Sequence, residues 1–98
     1  MATQQKVHLT MQSKERKLLK KKAFHLKPVV LMGHKGLSKT LLAEIDHALD
    51  AHELIKIRLT GLAKSEYAST IEQICTQNAA TAISRIGHVL TLYRAKTD

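Results

Sequence analysis

Apolar residues in this chain change their spacing from one stretch to the next, and the changes mark out its elements. Ser13 is a candidate N-cap, and Lys14 to Phe24 contains neither Gly nor Pro. Within it Leu18, Leu19, Ala23 and Phe24 form a narrow apolar stripe among lysines, which predicts a first helix. Lys27-Pro28 ends it, because the residue before proline avoids helical geometry. Val29 to Met32 is short and continuously apolar, the pattern of a strand covered on both faces. After Gly33-His34-Lys35-Gly36, either Ser38 or Thr40 can cap a second helix running to Ala51, with Leu41, Leu42, Ile45, Ala48 and Leu49 at the helical period. His52-Glu53 then form a joint into Leu54–Thr60. There Ile55, Ile57 and Leu59 alternate with Lys56, Arg58 and Thr60, the mark of a strand with one buried face and one wet, basic face. Gly61 to Lys64 reads as a loop, and Ser65 with Glu66 opens a third helix to Asn78, turning Ala68, Ile71, Ile74 and Cys75 inward. Thr81–Ile86 and Val89–Arg94 read as two strands around Gly87-His88, where glycine at the first central position suits a type II′ turn.

The order is therefore α-β-α-β-α-β-β. Strands joined through helices are expected to pair in parallel by right-handed crossovers, and the last two strands to pair antiparallel. The fold class is α/β with an α+β-like, two-layer build: a four-stranded mixed sheet with three helices packed against it. Residues 13–98 read as one domain. Residues 1–12 lack helical periodicity and read as a flexible tail, with Val7, Leu9 and Met11 alternating as a short strand would.

Composition adds one strong fact. Net charge is +8 with histidine neutral, and it is unevenly placed. Residues 1–39 hold ten Lys/Arg and only Glu15, for +9; residues 40–98 hold six Lys/Arg against seven acids, for −1. Such segregation points to a polyanionic partner, nucleic acid or an anionic membrane surface. A lysine-rich helix is often only a solvated face, but here there are almost no acids to pair with the lysines. Cys75 is the lone cysteine and can form no internal disulfide, which suits a reducing, cytoplasmic setting. No apolar run approaches a membrane span, and the first thirteen residues lack the apolar core of a secretory signal.

Candidate chemistry centres on Gly33-His34-Lys35-Gly36. A strand hands over to a helix through glycines that let the backbone approach a ligand, with Lys35 and Lys39 beside it, as in a phosphate site. The third glycine of a dinucleotide fingerprint is missing, and so is the Gly-Lys-Ser/Thr of a P-loop. The loops with which KH domains clamp nucleic-acid backbone work on the same logic. Six histidines (8, 25, 34, 47, 52 and 88) offer no His-x-His and no pair four apart, and there is no Cys-x-x-Cys. The dense run Asp46, His47, Asp50, His52 and Glu53 reads as helix surface, and Cys75 as a small core residue. No catalytic residue, metal ligand or cofactor is expected.

Three segments together resemble a known family: His25–Leu37 around Lys27-Pro28 and the glycine loop, His52–Ile57, and Ile86-Gly87 through Leu92-Tyr93-Arg94. They look like the bacterial stand-alone form of the chloroplast RNA splicing and ribosome maturation (CRM) domain, the YhbY-type proteins. The resemblance spans residues 13 to 96. It implies a fold similar to the C-terminal domain of translation initiation factor three and binding of RNA, ribosomal RNA in precursors of the large subunit. The RNA-binding residues it implies are Gly33, His34, Lys35 and Gly36 at the loop, Lys20, Lys21, Lys22 and Lys27 from the first helix and its exit, and Arg94 near the end of the hairpin; Lys39, beside the loop, joins them from the reading of the helix start. Two positions depart from the usual pattern. Ala23-Phe24-His25 stands where members often have Ala-His, and His88 stands where a lysine is common. The expectation is a monomeric, non-catalytic RNA-binding module with no membrane or small-molecule partner. The alternative is a basic module that docks on an acidic protein or an anionic membrane, and a small hydrolase is a more distant rival.

Overall fold

The computed structural model describes residues 12–96. Residues 1–11 of the expected tail, with the alternating Val7, Leu9 and Met11, lie outside the described residues, and Gln12 is the N-cap of the first helix. Eight elements follow one another: helix α1 (Ser13–Ala23), strand β1 (Pro28–Met32), helix α2 (Lys39–His52), strand β2 (Leu54–Leu59), a 3-10 turn at Lys64–Glu66, helix α3 (Tyr67–Asn78), and strands β3 (Thr81–Ile86) and β4 (Val89–Tyr93). Ser38 caps α2, its Oγ accepting a hydrogen bond from the Leu41 N–H at 3.1 Å. The third helix enters through the 3-10 turn. Glu66 there accepts from the Ala63 N–H at 2.7 Å, so the regular helix begins two residues later than Ser65.

One four-stranded sheet has the order β1-β2-β4-β3. As expected, β1 and β2 run parallel through α2 and β3 pairs antiparallel with β4. The expected parallel pairing of β2 with β3 does not occur. Strand β4 folds back between them and pairs antiparallel with both, placing Leu90 opposite Ile57 and Leu92 opposite Ile55. Its two hydrogen-bonding edges are thereby both used, and Leu90 and Leu92 become core.

The core lies on one face only. Val30, Met32, Ile55, Ile57, Leu59, Leu90 and Leu92 from the sheet meet Leu41, Ile45 and Leu49 of α2 and Ile74 and Cys75 of α3. Thr70 and Asn78 are also buried on α3, whereas Ala68 is exposed, so the inward stripe is rotated from the expected one. On the other face α1 lies alone, crossing between β2 and β3. Ala23 and Ile83 are buried outside the main cluster. The Arg16 guanidinium also ties the helix to β3 by donating to the Ala82 and Ile83 carbonyls at 2.6 and 3.1 Å.

One helix cannot cover that face. The expectation that β1 is covered on both sides therefore fails: Val29 is 55% and Leu31 is 61% exposed. The apolar stripe of α1 is likewise only partly used, with Leu18 and Phe24 left outside.

Candidate nucleic-acid interface

The glycine loop is a tight turn. The Gly36 N–H donates to the Gly33 carbonyl at 3.1 Å, which puts His34 and Lys35 at the two central, exposed positions. Gly36 has φ +68°, a left-handed conformation that glycine adopts without the clash a Cβ brings. Nothing lies within 4 Å of where a Cβ would stand at Gly33 or Gly36, so the turn faces open space. Helix α2 starts three residues beyond Gly36. Lys39 is its first residue, and one of its N-terminal N–H groups is already taken by Ser38.

Backbone and side-chain bonds lace this end of the sheet together. Thr60 donates to the Met32 carbonyl from its N–H at 3.1 Å and from Oγ1 at 2.5 Å, and the Leu59 N–H donates to the His88 carbonyl at 2.6 Å. The end of β1, the end of β2 and the Gly87-His88 turn thus form one rim behind the loop. Gly87 has φ +60° while His88 does not share a positive φ, as a type II′ turn requires.

The lysines of α1 divide between its two sides. Lys14, Lys17, Lys20 and Lys21 edge a groove whose floor holds Lys56, Ser84 and Thr91. Lys22, with Lys27 from the segment after the helix, falls on the other side, around a pocket that also contains His25, His52, Glu53 and Tyr93. Lys27 additionally lies by Val29, Leu31 and Arg58 at the β1 edge. The alternation of β2 places Lys56 and Arg58 on the α1 face, opposite the buried Ile55, Ile57 and Leu59. By contrast, apart from Glu15 on α1 and Glu53 between α2 and β2, the described carboxylates (Glu44, Asp46, Asp50, Glu66 and Glu72) belong to α2, α3 and the turn before α3. The charge asymmetry between the two halves of the sequence becomes an asymmetry between the two faces of the sheet. Lys56 and Arg58 were visible as a basic wet strand face; what the sequence could not show is that α1 lies across that same face.

Arg94 is set apart from the other expected residues. Its guanidinium binds Asp46 at 2.7 Å and Asp50 at 2.8 Å and also donates to the Asn78 carbonyl at 2.9 Å. With two carboxylates and a carbonyl already on its donors, and on the acidic side of the sheet, it is a tie between α2, α3 and β4. The Arg94→Ala variant is expected to lose about 1–2 kcal/mol, since both carboxylates face solvent and screening discounts the pair. Urea melts of the variant check this figure. Arg85 is also engaged, stacking 4.1 Å over the Tyr67 ring and donating to the Gly87 carbonyl at 2.6 Å.

Cys75 is buried, and burial pushes its thiol above the ordinary value of 9.0; a hydrogen bond with the Ala82 backbone opposes this and the Glu72 charge adds to it. A raised folded value means the native state holds its proton longer than the unfolded one. The resulting stability is complete below about pH 9 and is lost as pH rises further, by up to about 1.4 kcal/mol per unit. Melts between pH 8 and 11 should show this alkaline slope in the wild type and a shallower one in Cys75→Ala. Among the described residues, no three His, Cys, Asp or Glu side chains gather as a metal site, and no helix is long and apolar enough to cross a membrane.

A family model described as the CRS1 / YhbY (CRM) domain matches residues 11–94. The chain belongs to this family. This CRM domain is 41% identical over 89 residues to a Haemophilus influenzae protein named as an RNA-binding protein, covering 91% of this chain and 90% of that one. It is 36% identical over 101 residues to a probable RNA-binding protein of Methanocaldococcus jannaschii, covering 98% and 71%. The solution structure of a Staphylococcus aureus protein shares the fold of the CRM domain, with a TM-score of 0.79 at 20% identity over 91% of this chain and 93% of that one.

Proposed function

We propose that this CRM domain is a non-catalytic, cytoplasmic RNA-binding module that acts as a monomer on ribosomal RNA in precursors of the large subunit. The observation that carries the RNA reading is the α1 face of the sheet. There Lys14, Lys17, Lys20, Lys21 and Lys56 line one groove that contains no carboxylate. Arg58 extends the positive field along β2 toward the β1 edge and Lys27. A field of one sign at this density is a footprint for a phosphate backbone, and the names of the relatives agree with it.

In this reading the loop supplies the close contact and the face supplies the attraction. The open surroundings of Gly33 and Gly36 let a phosphate reach the loop backbone, while Lys35 and Lys39 neutralise it and His34 sits at the tip of the turn. Lys20 and Lys21 hold neighbouring phosphates, and Lys22 and Lys27 flank the path on the far side of α1. Arg94 has no part in it. The ribosomal assignment is tested by crosslinking the protein to RNA in cells and sequencing the recovered fragments. Strong enrichment of large-subunit ribosomal RNA and its precursors is expected. Crosslinks spread over messenger RNAs without that enrichment would remove the assembly role while leaving RNA binding in place.

A further inference from the structure

The groove between α1 and the sheet, about 650 Å³ in volume, has an apolar side that phosphate binding does not use. Leu18 lines it from α1, Phe24 from the C-cap of that helix and Ile86 from the end of β3, and Phe24 and Ile86 are each 77% exposed. Because Ala23 and Arg16 carry the docking of α1, the fold does not need Phe24 for packing. Three aromatic residues occur in the chain. Arg85 covers one face of Tyr67 and Tyr93 is half-buried in the sheet, so among the described Phe and Tyr rings Phe24 is the most exposed. Its contact with His25 is edge-to-face, centroids 5.3 Å apart at 84°, which occupies at most one face of the Phe24 ring.

We infer that this groove receives unpaired bases of the bound RNA, one of them stacked on Phe24, while the lysines along its rim hold the adjoining phosphates. The inference rests on the RNA reading above and narrows it to RNA with a single-stranded segment. Five lysines and no carboxylate among the lining residues select a polyanion. The apolar wall and free ring select, among polyanions, one that also offers flat apolar surfaces. A duplex keeps its base faces stacked inside, whereas an unpaired strand can lay them on an aromatic side chain.

The test compares three RNAs of equal length at one salt concentration: an unstructured strand, a strand of abasic sugar–phosphate units, and a duplex. Wild-type protein should prefer the unstructured strand to the abasic one by roughly five- to a hundredfold, the range of one base stack. Phe24→Ala should erase that preference without changing affinity for the abasic strand. Phe24→Trp should keep it and Phe24→Leu should lose most of it, which separates stacking from simple apolar burial. Equal binding of based and abasic strands by the wild type, or an unchanged preference in Phe24→Ala, would overturn the inference and leave phosphate binding standing. Failure of the wild type to bind any of the three would overturn the RNA reading itself. An acidic, leucine-rich peptide that binds wild type but not Phe24→Ala, with RNA binding untouched, would overturn the inference in favour of a protein occupant.

Discussion

With aspartate at both loop glycines, Gly33→Asp together with Gly36→Asp, the chain is expected to bind RNA roughly a hundredfold more weakly while remaining folded. Two effects combine. Each new side chain projects into space that is empty in the native loop and that the phosphate must enter. Each also brings a negative charge beside Lys35 and Lys39. Losing two charge-assisted hydrogen bonds at about 1.5–3 kcal/mol each already gives a factor of roughly a hundred or more. The fold should survive because both positions lie on an exposed turn, outside the core. The cost there is confined to Gly36, whose φ of +68° strains an L-residue by about 1–2 kcal/mol, and aspartate is among the residues that tolerate it best. Fluorescence anisotropy with labelled RNA, paired with a thermal melt, reads both outcomes. Undiminished affinity in a folded double variant would move the phosphate contact away from the loop.

The largest effect on stability is expected at Ile57. This residue is fully buried in β2, which is hydrogen-bonded on both sides, and it stands between Val30 of β1 and Leu90 of β4. Ile57→Ala removes three carbons from a site whose neighbours are held by two ladders and by α2, so little collapse can refill the space. A loss of about 3 kcal/mol is expected, within the usual 2–5 for such truncations. Against a total stability of about 5–15 kcal/mol, this lowers the melting temperature by roughly 12–24 °C. Urea unfolding followed by circular dichroism measures it. A loss below about 1 kcal/mol would mean that β2 is not the centre of the core.

Local pattern made most of the elements legible. The lysine-rich helix, the alternating strand Leu54–Leu59, the Ser38 cap and the glycine hairpin turn each follow from spacing or backbone preference over a few residues. What the spacing did not reveal was long-range. Nothing in Val89–Tyr93 says that it inserts between β2 and β3, because pairing partners are a property of the assembled sheet. The apolar run at β1 could belong to a strand covered twice or once. Only the placement of α1 across part of the second face decides for once.

The same applies to the residues proposed to bind RNA. Gly33, Lys35 and Gly36 were readable because a turn is local. Arg94 appears in sequence as one more cation, and its partners Asp46 and Asp50 lie 48 and 44 residues away. Lys56 and Arg58 gain their meaning in the opposite manner, by sharing a face with lysines contributed from α1.

The central claim is that phosphate neutralisation by this face dominates RNA binding, and its most direct measure is the salt dependence of affinity for an unstructured RNA. With four to six cations engaged among those of the loop, α1 and β2, log affinity should fall against log salt with a slope of about −3 to −4. A slope shallower than about −1 would contradict the claim.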